Sequence, residues 1–285
     1  MQVLFSIIFL IACLVGGFSL SGGMLRNLWQ PYEIMMLLGS GIGFFVASNS
    51  YHGIKMFGTF SIYIFKKPYS AQKFQQQMGL LVRLHELYIK DKKALSIQLE
   101  DPFESEIFKE YPKSLNDEAG RKYVCNNLTL LIDEGSSITP FDFEDMLEAE
   151  IEQYKKEWLT PYKSANSLVD TFPAIGIAVA VLGIVVSMQF LDADMLILGE
   201  HIGAALFGTF FGIFMAYCIF KPISLKFAKF GEEGGLYLSV FKTYLMCMRK
   251  GNNPMKSATV TNNDVPPRYK LETKVLRDKI TKREL

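Results

Sequence analysis

Charge is missing from four stretches of this 285-residue chain: residues 3–20, 34–50, 171–191 and 202–220 contain no Asp, Glu, Lys or Arg. A bilayer crossing needs about 20 apolar residues, so each stretch has the length of a span. Such blocks exclude a soluble domain with evenly spread charge. Cysteine is also scarce. Cys13, Cys125, Cys218 and Cys247 are far apart, which excludes a disulfide framework or a CxxC site. His52, His85 and His201 fall in different segments, none with a second ligand at metal spacing. Phosphate-binding glycine motifs and a Ser-His-Asp arrangement are absent, so neither an enzyme nor a cofactor is expected. A net charge of +1 offers no footprint for nucleic acid.

What is present is an all-α membrane protein by expectation, with four spans, a helical domain between the second and third, and a C-terminal tail. The boundaries read as 1–50 for spans 1 and 2, 51–167 for the inserted domain, 168–222 for spans 3 and 4, and 223–285 for a C-terminal helix and tail. No Lys or Arg precedes the first block and no clear cleavage site follows it, so it reads as a retained span. Gly39, Gly41 and Gly43 dilute the second, for which a re-entrant segment is the alternative. Lys55, Lys66, Lys67, Lys155, Lys156, Lys163, Lys221, Lys226 and Lys229 flank one side of the spans. Asp192, Asp194 and Glu200 mark the other. The positive-inside rule then places both termini and residues 51–167 in the cytoplasm.

Within the insertion, Leu80, Leu81, Leu84, Leu87 and Tyr88 recur at helical spacing and predict a helix from Lys73 to Lys90. A second is expected over Asp117–Glu134, stopped by Gly135. Thr139-Pro140 reads as an N-cap followed by proline at the first helical position. The next helix carries Phe143, Met146, Leu147, Ile151, Tyr154 and Trp158 on one side. Glu144, Glu148 and Glu152 form an acidic solvent face on the other. After Gly251 the chain reads as a mobile tail ending in a short helix.

Moving a cation across a bilayer calls for an anionic resting place at depth, and the spans offer no carboxylate. They do offer Pro173, Thr209, Tyr217 and Pro222, which suit a path that borrows its carboxylate from another chain. Pro173 frees a backbone carbonyl that could serve a hydrated cation beside the Thr209 hydroxyl. The alternative is a simple kink with Thr209 bonded to its own backbone. Gly39/Gly43 and Gly208/Gly212 are GxxxG pairs that let helices approach closely, and two such faces favour self-association.

The run Ala205-Leu206-Phe207-Gly208-Thr209-Phe210-Phe211-Gly212, with Pro222 beyond it, resembles the signature of the MotA/PomA family, the A subunit of the bacterial flagellar stator. So do Gly16-Gly17-Phe18, Gly22-Gly23 before Gln30-Pro31, Gly39 to Gly43, Asp101-Pro102 with Glu104-Ser105-Glu106-Ile107-Phe108, and Asp170-Thr171-Phe172-Pro173-Ala174-Ile175-Gly176. Length and the Glu104–Phe108 run look closest to the enterobacterial-type and lateral-flagellar (LafT) members.

The resemblance implies an inner-membrane ring of five A subunits around two single-span B subunits of MotB/LafU type, whose membrane aspartate takes up the ion. Ion passage would turn the ring, whose cytoplasmic face pushes the rotor protein FliG. Pro173, Thr209 and Tyr217 would line the A–B interface and Pro222 would shape the cytoplasmic end. Sodium-driven relatives tend to carry a threonine where this chain has Ala180. A methyl offers Na⁺ no oxygen, so H⁺ is the expected ion and Na⁺ the lesser alternative. For rotor contact the family places an Arg and, about two turns on, a Glu before Asp-Pro. Here Lys90 and Ser96 or Gln98 stand at those places, with Lys92, Lys93, Glu100 and Asp101 nearby and Glu150 as a further candidate. The alternative function is an ion-driven energiser of envelope transport or phage defence, like ExbB, TolQ or ZorA.

Overall fold

The computed structural model describes residues 2–62, 69–135, 137–192 and 194–285; Lys66 and Lys67, invoked above for orientation, lie outside them. Its helices are α1 (Gln2–Leu20), α2 (Pro31–Ser48), α3 (Tyr51–Ser61), α4 (Ala71–Lys90), α5 (Lys92–Glu100), α6 (Glu106–Lys109), α7 (Pro112–Leu115), α8 (Glu118–Asp133), α9 (Pro140–Trp158), α10 (Thr160–Ser187), α11 (Met195–Phe214), α12 (Lys221–Arg249), α13 (Pro254–Thr261) and α14 (Thr273–Lys282). No strand occurs among the described residues. Four of the helical stretches are long and apolar enough to cross a membrane, so the chain is a multi-pass membrane protein. Two compact units emerge, 1–67 with 158–230 and 68–157 with 231–285.

The first unit holds the spans. Pro31 opens α2 at a position where its missing N–H costs nothing. The extended backbone of Asn49 and Ser50 breaks the helix there, and Ser50 Oγ caps α3 by accepting from Gly53 N at 3.1 Å. Leu37, Leu168, Val169, Phe172, Val179 and Ala216 form one core. Phe60, Ala165 and Phe227 form a second. Most side chains of α1 are exposed, Phe5 by 72% and Phe9 by 61%. In a bilayer such surface faces lipid or other helices, because nothing among the described residues covers it.

In the second unit α4 is central, with Phe74, Gln77, Met78, Leu80, Leu81, Leu84 and His85 buried. Helix α12 packs on it, Phe74 meeting Tyr237 at 5.3 Å and Gln77 donating to the Tyr237 carbonyl at 3.1 Å; Phe241 of α12 in turn meets Tyr123 of α8, whose hydroxyl donates to the Leu147 carbonyl of α9 at 3.1 Å. Thr139 caps α9 as its sequence predicts, its Oγ1 accepting from Asp142 N at 3.1 Å ahead of Pro140. The face bearing Glu144 and Glu148 is not purely solvent-facing: Lys242 Nζ from α12 lies 3.2 Å from Glu144 and 2.5 Å from Glu148.

The C-terminal tail departs from its expectation. Residues after Gly251 form α13 and α14 and are packed. Val265 and Leu276 are buried, Tyr269 stacks on Phe74 at 5.2 Å, and its hydroxyl donates to the Tyr69 carbonyl at 3.1 Å. Composition hid this, because a few apolar anchors spaced through a polar segment are enough to hold it.

Candidate functional site: the α10–α11 pair

Helices α10 and α11 run antiparallel with their backbones in close approach, and glycine is what allows it. A methyl on Gly176 would come 2.9 Å from the Gly208 carbonyl oxygen and 3.1 Å from the Gly212 Cα. One on Gly212 would meet the Phe172 oxygen at 2.7 Å, and one on Gly183 would meet Ala205 Cβ at the same distance. The Gly208/Gly212 face is therefore consumed inside the chain, where the sequence had suggested contact between copies. Gly39 and Gly43 differ: no atom lies within 4 Å of a methyl at either position. Their neighbour Gly41 is the one that packs, against the Phe172 ring.

This seam brings together part of the expected ion path. Pro173 lies inside α10, which continues unbroken to Ser187. Without an N–H, Pro173 leaves the Val169 carbonyl free of its helical donor. Gly176, one turn on, abuts Thr209 as well as Gly208. Ala180 is 7% exposed, its backbone nitrogen beside Gly208. Thr209 is half-buried, and among the described residues its hydroxyl has no hydrogen-bond partner. The alternative in which it bonds its own backbone is not adopted. Ser187 shows the contrast, donating to the Gly183 carbonyl at 2.8 Å.

Tyr217 and Pro222 lie further along. Residues Met215–Phe220 form a π-helical turn between α11 and α12, and Pro222 follows. The proline can neither donate to Cys218 O nor tolerate it close by, and a widened turn relieves both demands. Tyr217, in this turn, is 58% exposed. The stacked rings of Phe172 and Phe220, 5.0 Å apart, tie the turn back to α10.

Sequence reasoning missed a polar bridge at the same end. Asn166 accepts from Lys221 Nζ at 3.2 Å and from Ser224 Oγ at 3.4 Å, and donates to Asp170 at 3.2 Å. The bonds to α12 connect residues 55 and 58 positions apart, beyond the reach of local patterning. The only local hint was an Asp one turn before Pro173.

The charges expected to meet a rotor lie in the second unit. Lys90, Lys92 and Lys93 are exposed where α4 gives way to α5. Asp91 sits among them but is occupied, its carboxylate accepting from Lys93 N at 2.9 Å and Ala94 N at 3.1 Å. Lys92 Nζ lies 4.7 Å from the Tyr88 ring centre. Glu150 is half-buried and accepts from Asn127 Nδ2 at 2.7 Å. Burial pushes its carboxyl pKa up, against the opposing effect of that hydrogen bond. No group of three metal-ligating side chains occurs among the described residues.

Comparison with known proteins agrees with this architecture. Residues 4–93 match the family model for the motility protein A N-terminal region, and residues 116–234 match that of the MotA/TolQ/ExbB proton channel family. Chemotaxis protein LafT of Vibrio parahaemolyticus is 31% identical over 233 residues, covering 80% of each chain. Motility protein A of Escherichia coli is 30% identical over 258 residues, 89% of this chain and 86% of that protein. Among solved structures, Campylobacter jejuni MotAB gives a TM-score of 0.73 at 16% identity, over 94% of this chain and 97% of the other. The flagellar MotAB stator complex of Bacillus subtilis gives 0.71 at 19%, over 94% and 98%. At those identities the structures speak to fold alone.

Proposed function

We propose, from the premise that this chain belongs to the motility protein A family, that it is the A subunit of a flagellar stator, coupling ion flow through the membrane to torque on the rotor. It is a channel subunit and not an enzyme. The missing carboxylate is supplied by the membrane aspartate of a single-span B partner, in an assembly of five A and two B chains. The complex resides in the bacterial inner membrane with both A termini in the cytoplasm. The insertion meets the rotor protein FliG through Lys90, Lys92, Lys93 and Glu150. The ion is H⁺, given the methyl of Ala180.

The observation that carries this reading is the Thr209 hydroxyl, unpartnered among the described residues, in the charge-free stretch 202–220. A hydroxyl left without an acceptor on the helix that packs against proline-bearing α10 suits a path completed by another chain. Although residues 116–234 match a family model that also covers TolQ and ExbB, residues 4–93 match one for motility proteins. That favours the stator over the energiser.

Motility of a deletion strain, complemented with this chain with and without the adjacent B-subunit gene, tests the proposal. Rescue that requires the partner and persists in sodium-free medium is expected. Rescue without any B subunit would overturn the shared path, and rescue only in sodium would overturn the ion assignment.

A further inference from the structure

Lys55, Lys163, Lys226 and Lys229, at one end of the spanning unit, form no ion pair among the described residues, although Asp170, Glu232 and Glu233 stand close by in sequence. Segments 49–62, 159–169 and 221–231 contain Lys55, Lys163, Lys221, Lys226 and Lys229 and no Asp or Glu. Lys221 is held by Asn166. The ion pairs found among the described residues involve other lysines.

These three segments meet on one aromatic cluster. Phe57 packs against Phe45 at 5.0 Å and Phe227 at 5.5 Å, and Phe60 against Phe230 at 4.6 Å. A methyl on Gly53 would lie 3.6 Å from Thr160 Cγ2. Lys55, Lys163, Lys226 and Lys229 therefore all lie within a turn of residues that touch the cluster.

The outward side of α3 and its C-terminal neighbour is cationic and apolar together: Tyr51 is 85% exposed, Lys55 is exposed, and Ile62 is 54% exposed. Helix α3 begins three residues after span α2 ends, at the level where hydrocarbon gives way to headgroups. Tyrosine favours that level. An exposed isoleucine and tyrosine beside ammonium groups that form no ion pair among the described residues suit a lipid, which presents acyl chain and phosphate at once, better than the acidic face of a soluble protein.

We propose that α3, with Lys163, Lys226 and Lys229 beside it, is a binding site for anionic phospholipid headgroups. It depends on the spans and not on the stator reading.

The test is spin-labelled lipid association with the full chain in phosphatidylcholine nanodiscs. Phosphatidylglycerol is expected to be preferred over phosphatidylcholine by about threefold or more, less so at high salt. In the triple variant Lys55→Gln/Lys163→Gln/Lys229→Gln the preference should disappear, and arginine at the same three positions should keep it. A control with Lys250→Gln, Lys274→Gln and Arg277→Gln should behave as wild type. Equal association of both lipids with wild type would overturn the proposal, as would wild-type behaviour of the glutamine variant or loss in the arginine variant. Millimolar inorganic phosphate should leave the preference intact. Its abolition would assign the site to free phosphate instead.

Discussion

At the scale of single residues, two side chains carry the sharpest expectations. Thr209→Val keeps the shape of the side chain and removes a hydroxyl that the chain's own fold does not use. Proton flux through the reconstituted A–B complex should fall about tenfold, the equivalent of one lost polar contact near 1.4 kcal/mol. Helix content should not change, and Thr209→Ser should restore the flux; undiminished flux in the valine variant would remove Thr209 from the path. Glu150 poses a different question because it is half-buried and bonded to Asn127. Its raised carboxyl pKa means that folding favours the protonated form, a contribution present below the unfolded pKa and lost as pH rises through the folded one. Glu150→Gln should therefore melt at the same temperature or higher at pH 7, since the amide oxygen can still accept from Asn127. If torque falls in this variant while its melting point holds, the charge serves the rotor contact. If torque is unchanged, Glu150 serves packing alone.

At the scale of elements, the two glycine pairs separate cleanly. Gly212→Ala forces a methyl against backbone atoms that have no rotamer to yield, Phe172 O and Gly176 Cα, and should cost about 1–3 kcal/mol. Gly39→Ala meets nothing within 4 Å and should leave the melting temperature of the single chain unchanged or slightly raised. Thermal melts in detergent compare the two. The sequence treats these pairs alike, because GxxxG marks a helix face without naming the helix opposite. Caps and stripes were far more legible. The stripe from Leu80 to Tyr88 predicts Lys73–Lys90 where α4 spans Ala71–Lys90, and Thr139-Pro140 places the start of α9, since both signals are local. The Asn166 bridge and the packed tail were not legible. Each depends on residues distant in sequence, and on which side of a helix ends up covered.

For the whole molecule, acid should be the revealing stress. His85 is 1% exposed between α4 and α12, 3.4 Å from the Tyr244 hydroxyl, and burial lowers its pKa from 6.5 to about 4. A histidine kept neutral by folding contributes fully above pH 6.5, and that contribution is lost as pH falls toward 4. It amounts to at most about 3 kcal/mol. The melting temperature of the full chain should decline through that window, and His85→Gln should flatten that part of the decline. An identical slope in the variant would place the acid sensitivity elsewhere. Self-association belongs to this scale too. Gly39→Leu/Gly43→Leu should spare the fold yet reduce recovery of multi-copy complexes in cross-linking, because that face of α2 is open in the single chain.

The π turn before Pro222 fixes helical phase. Its residues are wound so that α12 leaves α11 with Lys221 and Ser224 toward Asn166 and Phe227 toward Phe57. Were the same six residues, Met215–Phe220, wound as ordinary α-helix without the widened turn, every later side chain would rotate by about 100° about the axis. All three contacts would be lost together although none of their residues had been changed.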